Sequence, residues 1–501
     1  MSSIRKYSLL ITIISYIGVI IGYINKTLLF PNYLTPDQVG LANVMINIAI
    51  VFAQFSMLGV GAITLRFFPY FNDRARQHHG FLFWGSALAA IGSLLMAFVF
   101  LYFDGFITTH FGSKSPLIAE YYLYLIPLGI STTFYLFFDS FLRSIYKSVV
   151  PVFVNEVLLR LLITICILLY AINLISFHQF VIIYVIVNSS TALILLAYIA
   201  YLKQFTLKVE LTFRIKKLYK KILIYGGFTI LTIASGSLIL NMDSLLITGL
   251  MDNGLYHFGI YSTVFYISSL ILMPYRALSR MTSPLVAEYW RENDLTKMEV
   301  LYKKVSLINT IIGGGLFIVL WVNIDNLLSF LPMEYRGAQN VFLFVALGRL
   351  FDMITGLNGL IISTSRKYKY EILFSLFFAI LTFVSCYVFI VNLNLGIDGA
   401  ALATMLTIVV SNLIRLYFVQ YNFKIQPFSK AILIITLIGA FATIIIHFIP
   451  TFTNVYMDGI IRSMMVLLLF VLPIYLLKLS HDFNSFFDKY LKRNKSINVN
   501  K

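Results

Sequence analysis

Six basic side chains lie within or at the ends of otherwise apolar stretches: Lys26, Arg160, Arg276, Arg280, Arg349 and Arg415. They outnumber the acidic residues placed the same way, which are Glu156, Asp243 and Asp352. A cationic interior suits an anionic headgroup such as a diphosphate, which a guanidinium holds through forked, charge-assisted hydrogen bonds. Neutral polar residues follow the helical period of about 100° per residue. Asn43, Asn47, Gln54, Met57 and Gly61 fall on one stripe, and Ser262, Tyr266, Ser269, Met273, Arg276 and Arg280 on another. Thr12, Ser15, Gly22 and Lys26 form a third, and Thr229, Thr232, Gly236 and Asp243 a fourth. Polar side chains facing lipid are costly, so these stripes should face protein or water. Small residues also pack helices together, the use expected of Gly22 and Gly236. Asn47, Gln54, Arg276 and Arg280 are expected to line a cavity.

Two pairs of opposite charge sit at helical spacing. Glu156 and Arg160 are four residues apart, Arg349 and Asp352 three apart, so each pair can meet on one face. Glu156–Arg160 reads as a structural or coupling pair, and Arg349–Asp352 as a pair that is structural or touches substrate. Asp139, Arg415 and Arg462 lie near helix ends, where long side chains snorkel to the interface. His78-His79 has no cysteine or clustered acid beside it, so no metal site is expected. Nothing points to a catalytic group or a cofactor.

The elements that must carry these residues are apolar runs of spanning length. Fourteen occur, near 8–29, 39–63, 81–103, 119–142, 152–173, 179–202, 222–249, 258–275, 305–325, 340–363, 371–393, 397–420, 431–450 and 458–477. About 20 apolar residues cross a bilayer core as a helix. With the N-terminus inside, 31 of the 38 Lys/Arg fall in inside segments, and only Lys26, Lys114 and Arg336 fall outside. The remaining four lie within helices. This is the positive-inside rule followed along the whole chain, and it places both termini in the cytoplasm. The chain is 59% hydrophobic and 12% charged, against about 25% charged in soluble domains. The fold class expected is an all-α polytopic membrane protein. Its net charge of +17 is accounted for by inside loops facing anionic lipid, so no nucleic-acid partner is expected. Cys166 and Cys386 fall inside predicted helices and read as packing residues. The first run lacks a small-residue cleavage site and reads as a retained helix.

The basic stretch 203–221 divides the chain into 1–202, with six helices, and 222–423, with six more. Two further helices occupy 424–478, and a basic tail runs from 479 to 501. The stretch 203–221 reads equally as a linker along the cytoplasmic surface or as a plain orientation signal. The two six-helix parts look alike near their starts. Val39-Gly40-Leu41-Ala42 precedes Arg66-Phe67-Phe68-Pro69, and Phe258-Gly259-Ile260-Tyr261 precedes Arg280-Met281-Thr282-Ser283-Pro284. Setting Gly40 on Gly259 sets Asn43 on Ser262 and Met57 on Arg276. Such parallel repeats are related by an axis along the membrane normal, with substrate held between them. Pro274 removes a backbone hydrogen bond just before Arg276, so a kink is predicted there.

With fourteen helices and this repeat, the chain resembles the polysaccharide transporters of the multidrug/oligosaccharidyl-lipid/polysaccharide superfamily. The most family-like stretch is Asn241-Met242-Asp243-Ser244-Leu245-Leu246 followed by Phe258-Gly259-Ile260-Tyr261-Ser262. It is similar to the junction of helices 7 and 8 in O-antigen flippases. The resemblance implies two six-helix lobes in a V, a central cavity lined by helices 1, 2, 7 and 8, and two C-terminal helices. It implies movement of polyprenyl-diphosphate-linked oligosaccharide across a bacterial cytoplasmic membrane for lipopolysaccharide, capsule or exopolysaccharide assembly. Cavity cations would hold the diphosphate, here Lys26, Arg276 and Arg280, with Arg349 as a further candidate. Further implied partners are membrane lipids, a coupling H+ or Na+, and the polysaccharide polymerase machinery. The second helix has no basic residue before Arg66, which departs from lipid II flippases. One rival is a cation-coupled multidrug exporter, expected to have twelve helices and an acidic cavity. Another is a membrane-embedded glycan polymerase or glycosyltransferase, for which the outside loops 104–118 and 326–339 are too short and poorly charged.

Overall fold

The computed structural model describes residues 2–73, 77–112, 114–205, 213–485 and 488, and among these there is no strand. Lipid offers no hydrogen bonds to the backbone, so each spanning segment satisfies its own amides as a helix. Twelve helices are long and apolar enough to cross a membrane. They are α1 (Leu10–Tyr33), α2 (Pro36–Ser56), α3 (His78–Tyr102), α4 (Pro116–Ser144), α5 (Val149–Ala171), α6 (Phe177–Tyr201), α8 (Gly254–Glu292), α9 (Leu295–Val322), α11 (Lys369–Asn392), α12 (Gly396–Phe423), α13 (Lys430–His447) and α14 (Val455–Leu476). A bent pair, Gln339–Thr355 and Asn358–Thr364, makes α10. The seventh predicted run lies in α7, Phe213–Leu250. Each of the fourteen sequence runs thus overlies a helix. Of the basic stretch 203–221, residues 206–212 lie outside the described residues, and α7 begins in its second half, at Phe213. Most of the tail 479–501 also lies outside them, as does the side chain of Thr232.

Three helices depart from the continuous rods of the sequence reading. α2 stops at Ser56 and reopens as Val60–Phe67 after Leu58 (φ +45°) and Gly59 (φ +76°). Glycine adopts that left-handed turn without strain, and a Cβ there would stand 2.7 Å from the carbonyl oxygen of Gly226. α8 carries a 3-10 turn, Ser269–Leu272, immediately before Pro274. Proline has no N–H to give, and the carbonyl of Leu270 accepts instead from the Met273 N–H. The disturbance predicted at Pro274 is therefore present. α10 bends by 54° at Gly356, whose φ is +65°.

The chain forms two compact units, Met1–Thr263 and Val264–Lys501. The first is centred on Phe68, Phe137, Phe141 and Leu142, the second on Val286, Met298, Tyr302, Ile361 and Val419. Within the first unit, the start of α2 and the start of α8 meet at two glycines. A Cβ on Gly40 would overlap the carbonyl of Leu255, and a Cβ on Gly259 would overlap the carbonyl of Pro36. Gly40 and Gly259 are the residues matched by the repeat, and Pro36 and Leu255 stand four positions before them. The two contacts are thus one contact seen from each side, which supports the repeat register. α2 enters this crossing with Pro36 at its first turn and with the Thr35 N–H donating to Gln38 Oε1 at 3.1 Å. Both devices satisfy or remove free amides at a helix start.

Candidate substrate site

Helices α1 and α5 each contain one π-turn, Asn25–Leu29 and Val154–Leu158. Such wide turns are frequent at functional sites, though α11 and α14 carry one each as well. Lys26 lies in the first and Glu156 in the second. Arg160 follows one turn later and pairs with Glu156 at 2.5 Å, as the spacing predicted. Its second nitrogen donates to the carbonyl of Gly18. A Cβ on Gly22 would stand 2.5 Å from Arg160 Nη1, so the bare glycine makes room for the guanidinium. Asn25 joins the two helices by donating to the carbonyl of Arg160 at 2.9 Å and accepting from Thr164 at 2.8 Å.

Lys26 donates to Asn43 Oδ1 and lies 4.7 Å above the ring of Phe30. Asn43 is buried, and its amide donates to Ser262 Oγ at 2.9 Å. Asn43 and Ser262 are again repeat equivalents, and they bond to each other. Asn47 and Gln54, further along α2, are half-buried and make no hydrogen bond among the described residues. Asp243 accepts from the Tyr261 hydroxyl at 2.6 Å. Lys114 donates to the carbonyl of Leu250 at 3.0 Å, capping the C-terminal end of α7. Gly22 has the packing use expected of it. For Gly236, no described residue stands within 4 Å of its Cβ position.

In the second unit, Arg276 and Arg280 are exposed on the C-terminal half of α8 and make no ion pair or hydrogen bond among the described residues. No salt bridge or hydrogen bond joins Arg349 to Asp352, and the two interact through their charges alone. Arg349 donates to the carbonyl of Phe265 at 2.9 Å and to Ser268 Oγ at 2.8 Å, and its guanidinium lies 4.1 Å from the Phe265 ring centroid. It thereby caps a carbonyl beside the 3-10 turn of α8. Asp352 instead accepts from Asn412 at 3.0 Å. Asn412 also accepts from Thr355 and Asn358, each at 2.8 Å, and so bridges the bend of α10. The snorkelling expected of Asp139, Arg415 and Arg462 is likewise replaced by ion pairs. Asp139 pairs with Arg143 at 2.6 Å, Arg415 with Glu371 at 2.6 Å, and Arg462 with Asp458 at 2.7 Å. Sequence reasoning overlooked Asn25, Asn358 and Asn412, whose partners lie on other helices. No group of three or more His, Cys, Asp or Glu that could hold a metal occurs among the described residues, and Cys166 and Cys386 are buried and unbridged.

A cationic site inside a helical membrane protein can bind and release an anion without covalent chemistry. A family model described as "Polysaccharide biosynthesis protein" matches residues 4–290, more than half of the chain. The chain belongs to the polysaccharide biosynthesis protein family. No curated protein sequence matches it. Among solved structures, this family member is similar to the lipid II flippase MurJ in an inward closed conformation. The TM-score is 0.69 and the identity 16%, covering 96% of this chain and 99% of that one. It is also similar to an inward-facing multidrug resistance MATE family transporter of the MOP superfamily, with TM-score 0.63 and 14% identity, covering 81% and 94% of the two chains. An outward-facing structure of a MATE family transporter matches with TM-score 0.54 and 15% identity, covering 84% and 96%. At these identities the likeness is one of fold. With its membrane-spanning helices, this polysaccharide biosynthesis family member is a multi-pass membrane protein that shares the fold of these structures.

Proposed function

We propose that the protein is a flippase for polyprenyl-diphosphate-linked oligosaccharide in the bacterial cytoplasmic membrane, serving lipopolysaccharide, capsule or exopolysaccharide assembly. The observation that carries the reading is the surplus of cations on membrane helices: Lys26 and Arg160 in one unit, Arg276 and Arg280 in the other. Arg276 and Arg280 stand 22 and 26 residues after the start of α8. A helix rises about 1.5 Å per residue and the hydrocarbon core is about 30 Å thick. With the start of α8 outside, the two arginines fall at inner headgroup depth, where a cytoplasmic diphosphate presents itself. The glycan would meet the half-buried amides of Asn47 and Gln54. An apolar cavity of about 370 Å³ between α9, α10, α13 and α14, lined by Phe317, Trp321, Leu347 and Phe470 among others, suits an isoprenoid chain. Differential binding to inward- and outward-open states then moves the lipid. Coupling to H+ or Na+ and contact with a polymerase are compatible with this scheme.

Reconstitution with fluorescent lipid-linked oligosaccharide tests the proposal. The wild type should expose the label to an impermeant quencher, and the double variant Arg276→Gln, Arg280→Gln should insert normally yet transport much more slowly. Undiminished transport by that variant would remove diphosphate binding from α8. Export of cationic drugs, with no movement of the lipid, would favour the multidrug reading.

A further inference from the structure

Arg160 and Glu156 have so far been a packed ion pair between α1 and α5. Their surroundings give them a second use. Gly18, Gly22 and Lys26 follow one another at four-residue intervals on α1, so they lie on one helix face. Arg160 rests on the first two of these and therefore approaches the face from which Lys26 projects. Its charge lies within electrostatic reach of Lys26. The side chains of Arg160 and Glu156 remain 27% and 25% exposed, so neither is fully enclosed by protein. Two cations on one face repel, and Glu156 is the carboxylate that compensates them while no other anion is present. The π-turns hold Lys26 and Glu156, and Asn25 and Thr164 fix the two helices against each other.

We propose that Lys26 and Arg160 form a two-cation clamp for the diphosphate of the lipid, and that Glu156 occupies the place of a phosphate oxygen until the substrate displaces it. This rests on the flippase reading above and adds Arg160 as a ligand and Glu156 as an internal competitor. The guanidinium exchanges one charge-assisted partner for another of the same kind. Its bond to the Gly18 carbonyl keeps it aimed during the exchange. Both partners of the clamp are then satisfied in the loaded state and in the empty one, which is the condition for releasing substrate again.

The test uses the full-length protein in nanodiscs, titrated with undecaprenyl diphosphate and, as uncharged control, with undecaprenol. Replacing Glu156 by Gln removes the competitor at nearly constant shape, so Glu156→Gln should bind the diphosphate at least about threefold more tightly than wild type. Arg160→Gln and Lys26→Gln should each bind it about tenfold more weakly, the loss of one charge-assisted bond. In Glu156→Gln, Arg160→Gln the gain should vanish, because it requires the arginine. Arg160→Lys keeps the charge without the fork and should recover part of the affinity, which guards against a folding artefact in Arg160→Gln. Undecaprenol binding should be equal in all variants, and inorganic diphosphate should compete only weakly. A purely structural pair would make Glu156→Gln less stable and no tighter, and that result overturns the clamp. Strong competition by inorganic diphosphate would also overturn it, making this a soluble-anion site. If wild type binds the lipid through Lys26 but is indifferent at positions 156 and 160, only the clamp falls. If wild type does not bind the lipid at all, the flippase reading falls with it.

Discussion

Charges inside this protein are held by specific, mostly distant partners. Arg349 shows how far such partners can lie from sequence neighbours. Three-residue spacing put Asp352 within reach, but the guanidinium serves the Phe265 carbonyl and Ser268, more than 80 positions earlier. A backbone carbonyl beside a 3-10 turn is invisible to side-chain pattern, so this partner was not legible. Arg349→Met should therefore lower stability by roughly 2–3 kcal/mol, the range for buried hydrogen bonds to a charged group. Its coupling to Asp352→Asn should be small, because the two interact through charge alone and no hydrogen bond joins them. The opposite holds for Arg415 and Glu371, which share two hydrogen bonds at 2.6 and 3.3 Å. Thermal unfolding in detergent across both double-mutant cycles would separate the cases. A large coupling between Arg349 and Asp352 would contradict the structure. The pair Glu156–Arg160, in contrast, was legible, because both partners lie on one helix.

At the level of helices, hydropathy located all fourteen segments but not their breaks. The turn at Leu58-Gly59 interrupts an apolar run that contains no proline, and Gly226 from α7 approaches closely there. The break of α10 at Gly356 is held from outside by Asn412. Pro274 was readable because the missing N–H is a local fact. The glycine crossing of α2 and α8 was readable only through the repeat. Gly40→Ala or Gly259→Ala forces a methyl group into a facing carbonyl, and overpacking of this kind costs about 1–3 kcal/mol. Each variant should give less folded protein by fluorescence-detection chromatography, while Gly105→Ala, whose Cβ position is open, should not. Outside the membrane, α9 begins with Asp294 accepting from the Lys297 N–H at 2.9 Å. This backbone bond, together with the Lys297 ammonium, holds the Asp294 carboxyl below its usual range. A group depressed in the folded state stabilises it above the unfolded value and loses that contribution as pH falls through the folded one. Amide protection at 295–298 should hold until the pH drops below about 4, the ordinary aspartate value, and then decline. Asp294→Asn should remove that dependence, and an unchanged profile would rule out the cap as its source.

For the whole molecule, the distribution of 31 inside against three outside basic residues leads to a topology that can be measured directly. A cysteine at position 110 should react with an impermeant reagent in intact cells, and one at position 210 should not. Labelling at 210 would invert the orientation and move Arg276 and Arg280 to the outer face. Two of the three exceptions to the charge rule have explanations in the fold, Lys26 in its bond to Asn43 and Lys114 in its cap on α7. The crossing of α2 and α8 also bears on how such a chain can have arisen. If the repeat descends from a duplicated gene, its two copies touch at matching positions: Gly40 beside Gly259, Asn43 bonded to Ser262. In an ancestral homodimer those would have been one residue meeting itself across a twofold axis. Fusion into a single chain frees the two copies to differ, and here asparagine has come to face serine. Each later change on one side is then judged by its partner on the other. A chimera that takes its first half from one relative and its second from another should fail at this seam before it fails anywhere else, and exchanging only residues 36–43 and 255–262 together should repair it.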